Sequence, residues 1–181
     1  MSFKTKEIIV GVCGSIAAYK AAELINSLAK QKANVTVVMT KCAHHFITPL
    51  TLQTLSRNRI FSDLFDLPKD WSPIHTSLAD KADLIVICPA TASIIGKIAN
   101  GICDDLLTCT IMAAKTKVMI CQAMNEKMYK NKILQTNIDK LKRLGYRFVG
   151  PIWGYLVDGH EGKGHLASVD VILKEVKKIL K

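Results

Sequence analysis

Five short runs of apolar, largely β-branched residues punctuate this chain, and each ends in small or polar residues. They are EIIVGVC, NVTVVMT, ADLIVICPA, KVMICQAMN and YRFVGPI. Between them lie stretches with apolar residues at helical spacing. IAAYKAAELINSLAKQ follows the first run, and HHFITPLTLQTLSR, interrupted near Pro49, follows the second. TASIIGKIANGICDDLLTCTIMAA reads as one or two buried helices, and a helical stretch runs to Leu144. A last helix is capped by Ser168, with Val169, Ile172, Leu173, Val176 and Leu180 on one face. Strands alternating with helices predict a parallel sheet with helices on both sides. The runs are continuous rather than alternating, as in strands buried on both faces. The expected fold is α/β, a Rossmann-like (flavodoxin-like) three-layer domain over residues 1–181.

In such a sheet, ligands bind beyond the carboxyl ends of the strands. The residues there are GSI, TKC, PATAS and QAMN, which should gather along one edge. The first turn, GVCGS, is neither a dinucleotide G-x-G-x-x-G nor a Walker A loop. Ser15, Thr40 and Thr91 suit phosphate through hydroxyls and amides near helix starts, although each is also an ordinary cap or turn residue.

Composition excludes several function classes. A net charge of +10 is spread along the chain, with no aromatic-interleaved basic motif, so no nucleic acid is expected. The excess charge suits attraction of small phosphorylated ligands. No apolar run is long enough for a membrane span, and the N-terminus lacks a signal peptide's layout, so the expected location is cytoplasmic. The six cysteines form no CxxC pair, and no Cys/His cluster has metal-ligand spacing. The expectation is reduced thiols and no metal.

The segment YLVDGHEGKGHL, residues 155–166, is glycine-rich and polar, and reads as a loop. Asp158 stands at its entrance. A lone His75 after Ser-Pro-Ile reads by itself as a surface or capping residue.

GSIAAYK, Ile74-His75, PATASIIGKIANGICDDLLT and AMNEKMY, in this order, resemble the homo-oligomeric flavin-containing cysteine decarboxylases. The nearest branch is the phosphopantothenoylcysteine decarboxylases of coenzyme A biosynthesis. The peptidyl-cysteine decarboxylases are more distant. The resemblance implies FMN as cofactor, met by Gly14, Ser15 and Ile16, by Thr40 and Lys41, by Thr91, Ala92 and Ser93, and by Ala123. It implies His75 as the active-site histidine and Asn125 as the ligand of the substrate carboxylate, with Met128 and Lys163 beside the substrate. It also implies a cofactor held between subunits of a trimer or a multiple of one, and a small cysteinyl substrate as partner. With the sequence ending at Lys181, the synthetase domain fused in many bacterial relatives is expected to be a separate protein.

In the chemistry the resemblance implies, the carbon bearing sulfur is oxidised to a thioaldehyde. Loss of carbon dioxide then leaves an enethiolate. In coenzyme A biosynthesis a hydride returns while an enzyme cysteine supplies a proton. The family's clamp motif, L-x-C-G-x-x-G-x-G, aligns without a gap on residues 156–164, with Asp158 in the cysteine position and His165 in place of the usual arginine. An ordinary Asp has a pKa near ~3.9, against ~8.5 for Cys, and is already deprotonated at neutral pH. Three readings stay open: full conversion with Asp158 or another donor, oxidative decarboxylation of a peptide's C-terminal cysteine that stops at the enethiol as in peptidyl-cysteine decarboxylases, or a flavin-binding regulatory homologue without catalysis. Ser93, Ile94 and Gln122 also depart from the family's Asn, Thr and Pro.

Overall fold

The computed structural model describes residues 3–65, 71–157 and 159–181. The main sheet is built from β1 (Glu7–Val12), β2 (Asn34–Met39), β3 (Ile60–Phe61), β4 (Leu84–Ala90), β5 (Lys117–Gln122) and β6 (Arg147–Val149). Its order is β3-β2-β1-β4-β5-β6, with every neighbouring pair parallel. This is the order of the doubly wound Rossmann class. All seven residues of β4 are buried, so this strand has no solvent-facing side.

Alternate residues of the strands feed two separate cores. On one side Ile8, Val10, Val12, Leu84 and Val86 pack under α1 (Ala18–Lys30), α2 (Pro49–Ser56) and α8 (Val169–Ile179). On the other, Ile9, Ile85, Ile87 and Ile120 pack under α3 (Ile74–Lys81), α4 (Ala92–Ala99), α5 (Leu106–Ala113) and α7 (Lys132–Arg143). A five-residue helix α6 (Glu126–Lys130) precedes α7. In α1 the buried positions Ala18, Ala21, Leu24, Ile25 and Leu28 repeat at three- and four-residue intervals, which is the stripe that a helix needs to lie on a sheet. Ser168 caps α8 by accepting from the Val171 N–H, as its position in the sequence predicts.

Two elements add to the sequence pattern, and two local readings are corrected. A two-residue strand, β3, pairs with β2 at the sheet edge; two residues leave no periodicity to read. Residues 74–81, left unassigned by the sequence pattern, form α3, started by Pro73. The glycine-rich loop is a two-stranded antiparallel hairpin, β7 (Ile152–Tyr155) and β8 (Glu161–His165). The strand expected over YRFVGPI is cut at Gly150, whose φ of +71° turns the chain out of the sheet and into this hairpin.

The stripe on α1 carries a stability prediction. Leu28→Ala leaves a cavity in a fully buried site and should cost about 2–5 kcal/mol. For a chain of this size, that lowers Tm by about 5–15 °C in a thermal melt.

Candidate active site

The carboxyl ends of β1, β2, β4 and β5 open into a cleft of ≈ 560 Å³, within the roughly 300–1,000 Å³ usual for small-molecule sites. Four connections supply its lining: Cys13 to Ser15, Thr40 to Cys42, Thr91 to Ile94, and Ala123 with Met124. Gly14 is required by close approach: a Cβ there would lie 2.5 Å from the Cys42 Cβ and 2.9 Å from its carbonyl carbon. The first two connections are thus packed edge to edge. Ser15 Oγ accepts from the Ala17 N–H at 3.2 Å, and Thr91 Oγ1 accepts from the Ile94 N–H at 3.4 Å at the start of α4. Both hydroxyls serve as local caps and also line the cleft.

The far rim carries a charged cluster that the sequence reading did not single out. Lys97 Nζ lies 2.7 Å from Asp104 and 3.4 Å from Asp105. The Asp104 carboxylate beside it holds the Lys97 ammonium above its ordinary pKa, and Lys97 holds Asp104 below its own. Asp105 also closes a capping box with Thr108 at the start of α5. The two carboxylates therefore meet the cleft already paired. Cys13 is buried in the cleft wall, and burial pushes its thiol up to about 12, so it is an apolar wall residue and not a nucleophile.

A second, apolar cleft of ≈ 250 Å³ adjoins the first and shares Ser15, Ala123 and Met124 with it. Its other walls include Ile16 and Lys20 from the first turn and α1, Asn125, and Leu156, Gly164 and His165 from the hairpin. Backbone contacts hold the hairpin in place. The Met124 N–H donates to the Gly164 carbonyl at 3.0 Å, and the Lys163 N–H donates to Glu126 Oε1 at 3.1 Å. A Cβ on Gly164 would lie 2.1 Å from the Met124 carbonyl oxygen. The Lys163 N–H and the Lys130 ammonium, 3.1 Å away, hold the Glu126 carboxyl below its usual range.

The structure gathers Gly14, Ser15, Thr40, Lys41, Thr91, Ala92, Ser93, Ala123 and Met128 around the first cleft, and Ile16 and Asn125 around the second. Asn125 caps α6 by accepting from the Lys127 N–H at 2.8 Å. Lys163 lines neither cleft; its Nζ lies 5.4 Å from the centroid of the Tyr129 ring. His75, near the start of α3, also lines neither. Asp158 lies outside the described residues. The missed lining residues are Cys42, Lys97, Asp104, Lys20 and His165. Each carried a signal in hindsight, since each sits inside a stretch already quoted: TKC, GSIAAYK, PATASIIGKIANGICDDLLT or the glycine-rich segment.

The donor set suits a flavin mononucleotide. Hydroxyls of Ser15, Thr40, Thr91 and Ser93, with the Lys41 ammonium, offer hydrogen bonds to an anionic tail, while Cys13, Ala92, Ile94 and Ala123 offer apolar wall to a flat ring. Gln122, just before Ala123, is buried, and its Nε2 has no hydrogen-bond partner among the described residues.

Gly164→Ala should push the hairpin off Met124. Trypsin cleavage after Lys163 is expected to accelerate severalfold, with little change in the melting of the sheet.

The flavoprotein family model matches residues 2–181. The chain is 44% identical over 173 residues to the coenzyme A biosynthesis bifunctional protein CoaBC of Bacillus subtilis (strain 168), covering 96% of this chain and 43% of that protein. It therefore spans less than half the length of that relative. It is 40% identical over 178 residues to a probable phosphopantothenoylcysteine decarboxylase of Streptococcus mutans serotype c, covering 97% of this chain and 99% of that one. Among solved structures it superposes on the FMN-dependent cysteine decarboxylase SpaF with a TM-score of 0.86 at 30% identity, covering 99% of this chain and 97% of that one. The cleft at the strand ends, its hydroxyl-lined rim and the match along nearly the whole sequence agree: this chain belongs to the flavoprotein family.

Proposed function

We propose that this protein is an FMN-dependent decarboxylase of phosphopantothenoylcysteine, working in the cytoplasm in coenzyme A biosynthesis. The observation that carries the reading is the meeting of two clefts at Ala123 and Met124, one nucleotide-sized and hydroxyl-rimmed, the other apolar and walled by a glycine-rich hairpin. The two relatives named for this pathway match along nearly all of this chain. Residues 1–181 are read as one domain, with residues 151–167 as its substrate clamp. No helix among the described residues is long and apolar enough to cross a membrane.

FMN, when bound, supplies the oxidation at the carbon bearing sulfur that makes loss of carbon dioxide easy. Ser15, Thr40, Lys41, Thr91 and Ser93 would hold its phosphate and ribityl end, and Ala123 would lie by the ring. Asn125 is anchored through its side-chain oxygen to the start of α6, and its amide nitrogen is assigned to the substrate carboxylate. Met128 sits at the shared rim and packs against the substrate. The Lys163 side chain, held over Tyr129, is assigned to an anionic group of the substrate. The hairpin excludes water from the second cleft, where polar contacts then act more strongly.

His75 lies outside both clefts of its own chain, and we place it in the cleft of a neighbouring copy within a trimer or a multiple of one. The exposed apolar side chains Ile16, Ile102 and Met112 are available for such an assembly. Asp158 takes the cysteine position of the clamp motif, to which the proton-donor role is assigned.

Incubation with FMN and phosphopantothenoylcysteine, with products identified by mass, tests the reading. Phosphopantetheine is the expected product. Accumulation of the enethiol would show that the final reduction is lost, and Asp158→Cys should then restore it. No turnover despite bound FMN would overturn the reading, in favour of a peptidyl-cysteine decarboxylase if a peptide ending in cysteine loses carbon dioxide, and of a regulatory flavoprotein if it does not. His75→Asn is expected to lower kcat by at least about 10²-fold, as loss of an acid–base group does, while the flavin absorbance stays with the protein. Near-normal turnover would remove His75 from its role.

A further inference from the structure

One contact ties the hairpin to the opposite wall of the apolar cleft through side chains. Lys20 Nζ of α1 lies 2.9 Å from His165 Nε2 at the end of β8. An ammonium has donors and no acceptor, so the proton in this contact belongs to Lys20, and His165 Nε2 must be the bare nitrogen of a neutral ring. The ring packs beside β7 in ordinary van der Waals contact. Gly154 of β7 faces it without a side chain, and a Cβ there would lie 3.5 Å from the His165 Cβ and Cγ.

We propose that Lys20 and His165 form a pH-dependent latch on the clamp hairpin: the pair holds the hairpin shut over the apolar cleft while His165 is neutral, and protonation of His165 releases it.

The surroundings of His165 make the sign definite. From α1 it meets the Lys20 cation. From β7 it meets Ile152 and Gly154, which carry no charge. From the connection before α6, the cleft is lined by Met124 and Asn125, both uncharged. Glu126 beyond them is already engaged by the Lys163 N–H and Lys130. On the hairpin, Lys163 is directed over Tyr129, and His160 and Glu161 lie at the tip end. Among the described residues, then, the charge acting directly on His165 is a like charge. Burial first, and the Lys20 charge second, hold its pKa below the ordinary 6.5. A group whose pKa is depressed in the closed state favours closure above its open-state value. That contribution is lost as pH falls from about 6.5 downward.

Lys20 and His165 are positioning residues on this account. Of the remaining hairpin anchors, Met124 to Gly164 is a backbone bond, and the Lys163 N–H bonds the Glu126 carboxylate, which that N–H and Lys130 hold below its usual range and so ionised across the pH window tested. At low pH the hairpin thus loosens and the domain stays folded.

Hydrogen exchange read by mass spectrometry on the FMN-loaded protein tests the latch at pH 7.5 and 5.5, with rates corrected for intrinsic chemistry. Because it reads backbone opening and not turnover, its failure is distinguishable from failure of the decarboxylase reading on which the clamp role rests. Protection of peptides within residues 152–166 should fall about fivefold at the lower pH, the scale expected for one partly solvated charge-assisted bond. Peptides from β4 should be unchanged, which also checks the fold of each variant. His165→Gln keeps a neutral acceptor for Lys20 and should stay protected at both pH values. Lys20→Met should be poorly protected at both. Equal protection of the wild-type hairpin at the two pH values would overturn the proposal. So would a pH-dependent loss persisting unchanged in His165→Gln, or a wild-type profile in Lys20→Met.

Discussion

The burial of β4 on both faces is the constraint on which the rest of the molecule depends. A seven-residue strand with no exposed side must be covered twice, and the chain does this with helices from both directions. β4 pairs with β1 on one side and β5 on the other, while β1 leads through α1 to β2 on the opposite flank. The order reverses between β1 and β4, so the connections leaving these strands diverge and open a crevice. That crevice is the larger cleft, and it exists because two hydrophobic layers need separate helices.

Within that frame, small residues set the dimensions of the site. Gly14 lets the first connection touch the second at Cys42, which brings Ser15 and Thr40 to one rim. Gly164 plays the matching part on the other side, allowing a backbone-to-backbone approach to Met124. Ala123 and Met124 are therefore shared by both clefts, and a group bound in one lies against a group bound in the other. Two-cleft adjacency of this kind is what a cofactor needs if it is to act on a separate substrate.

The residues differ in how openly they announced their places. Thr91 and Ala123 sit at the ends of strands that show themselves as continuous apolar runs, so their gathering at one edge followed from fold class alone. The family motifs extended this to Asn125 and Met128. Lys97, Asp104 and Asp105 lie inside a quoted family motif, yet their pairing escaped notice because an ion pair across a helix end has no periodic signature. The hairpin was misread as a loop because Gly162 and Gly164 weaken a strand when judged by propensity. Its strand geometry is held by docking onto Met124 and Glu126, which no local window contains.

By itself the sequence determined the layer order of this protein, since apolar periodicity is a local property that burial converts directly into strands and helices. It also determined which connections carry hydroxyls and small residues, and hence where a nucleotide-like ligand can rest. Tertiary structure alone decided the pairing of Lys20 with His165, which lie 145 positions apart, and the position of His75 outside its own chain's clefts. Such contacts depend on how close two distant backbones come. That distance is set by the packing of every residue between them, and not by the chemistry of the two side chains.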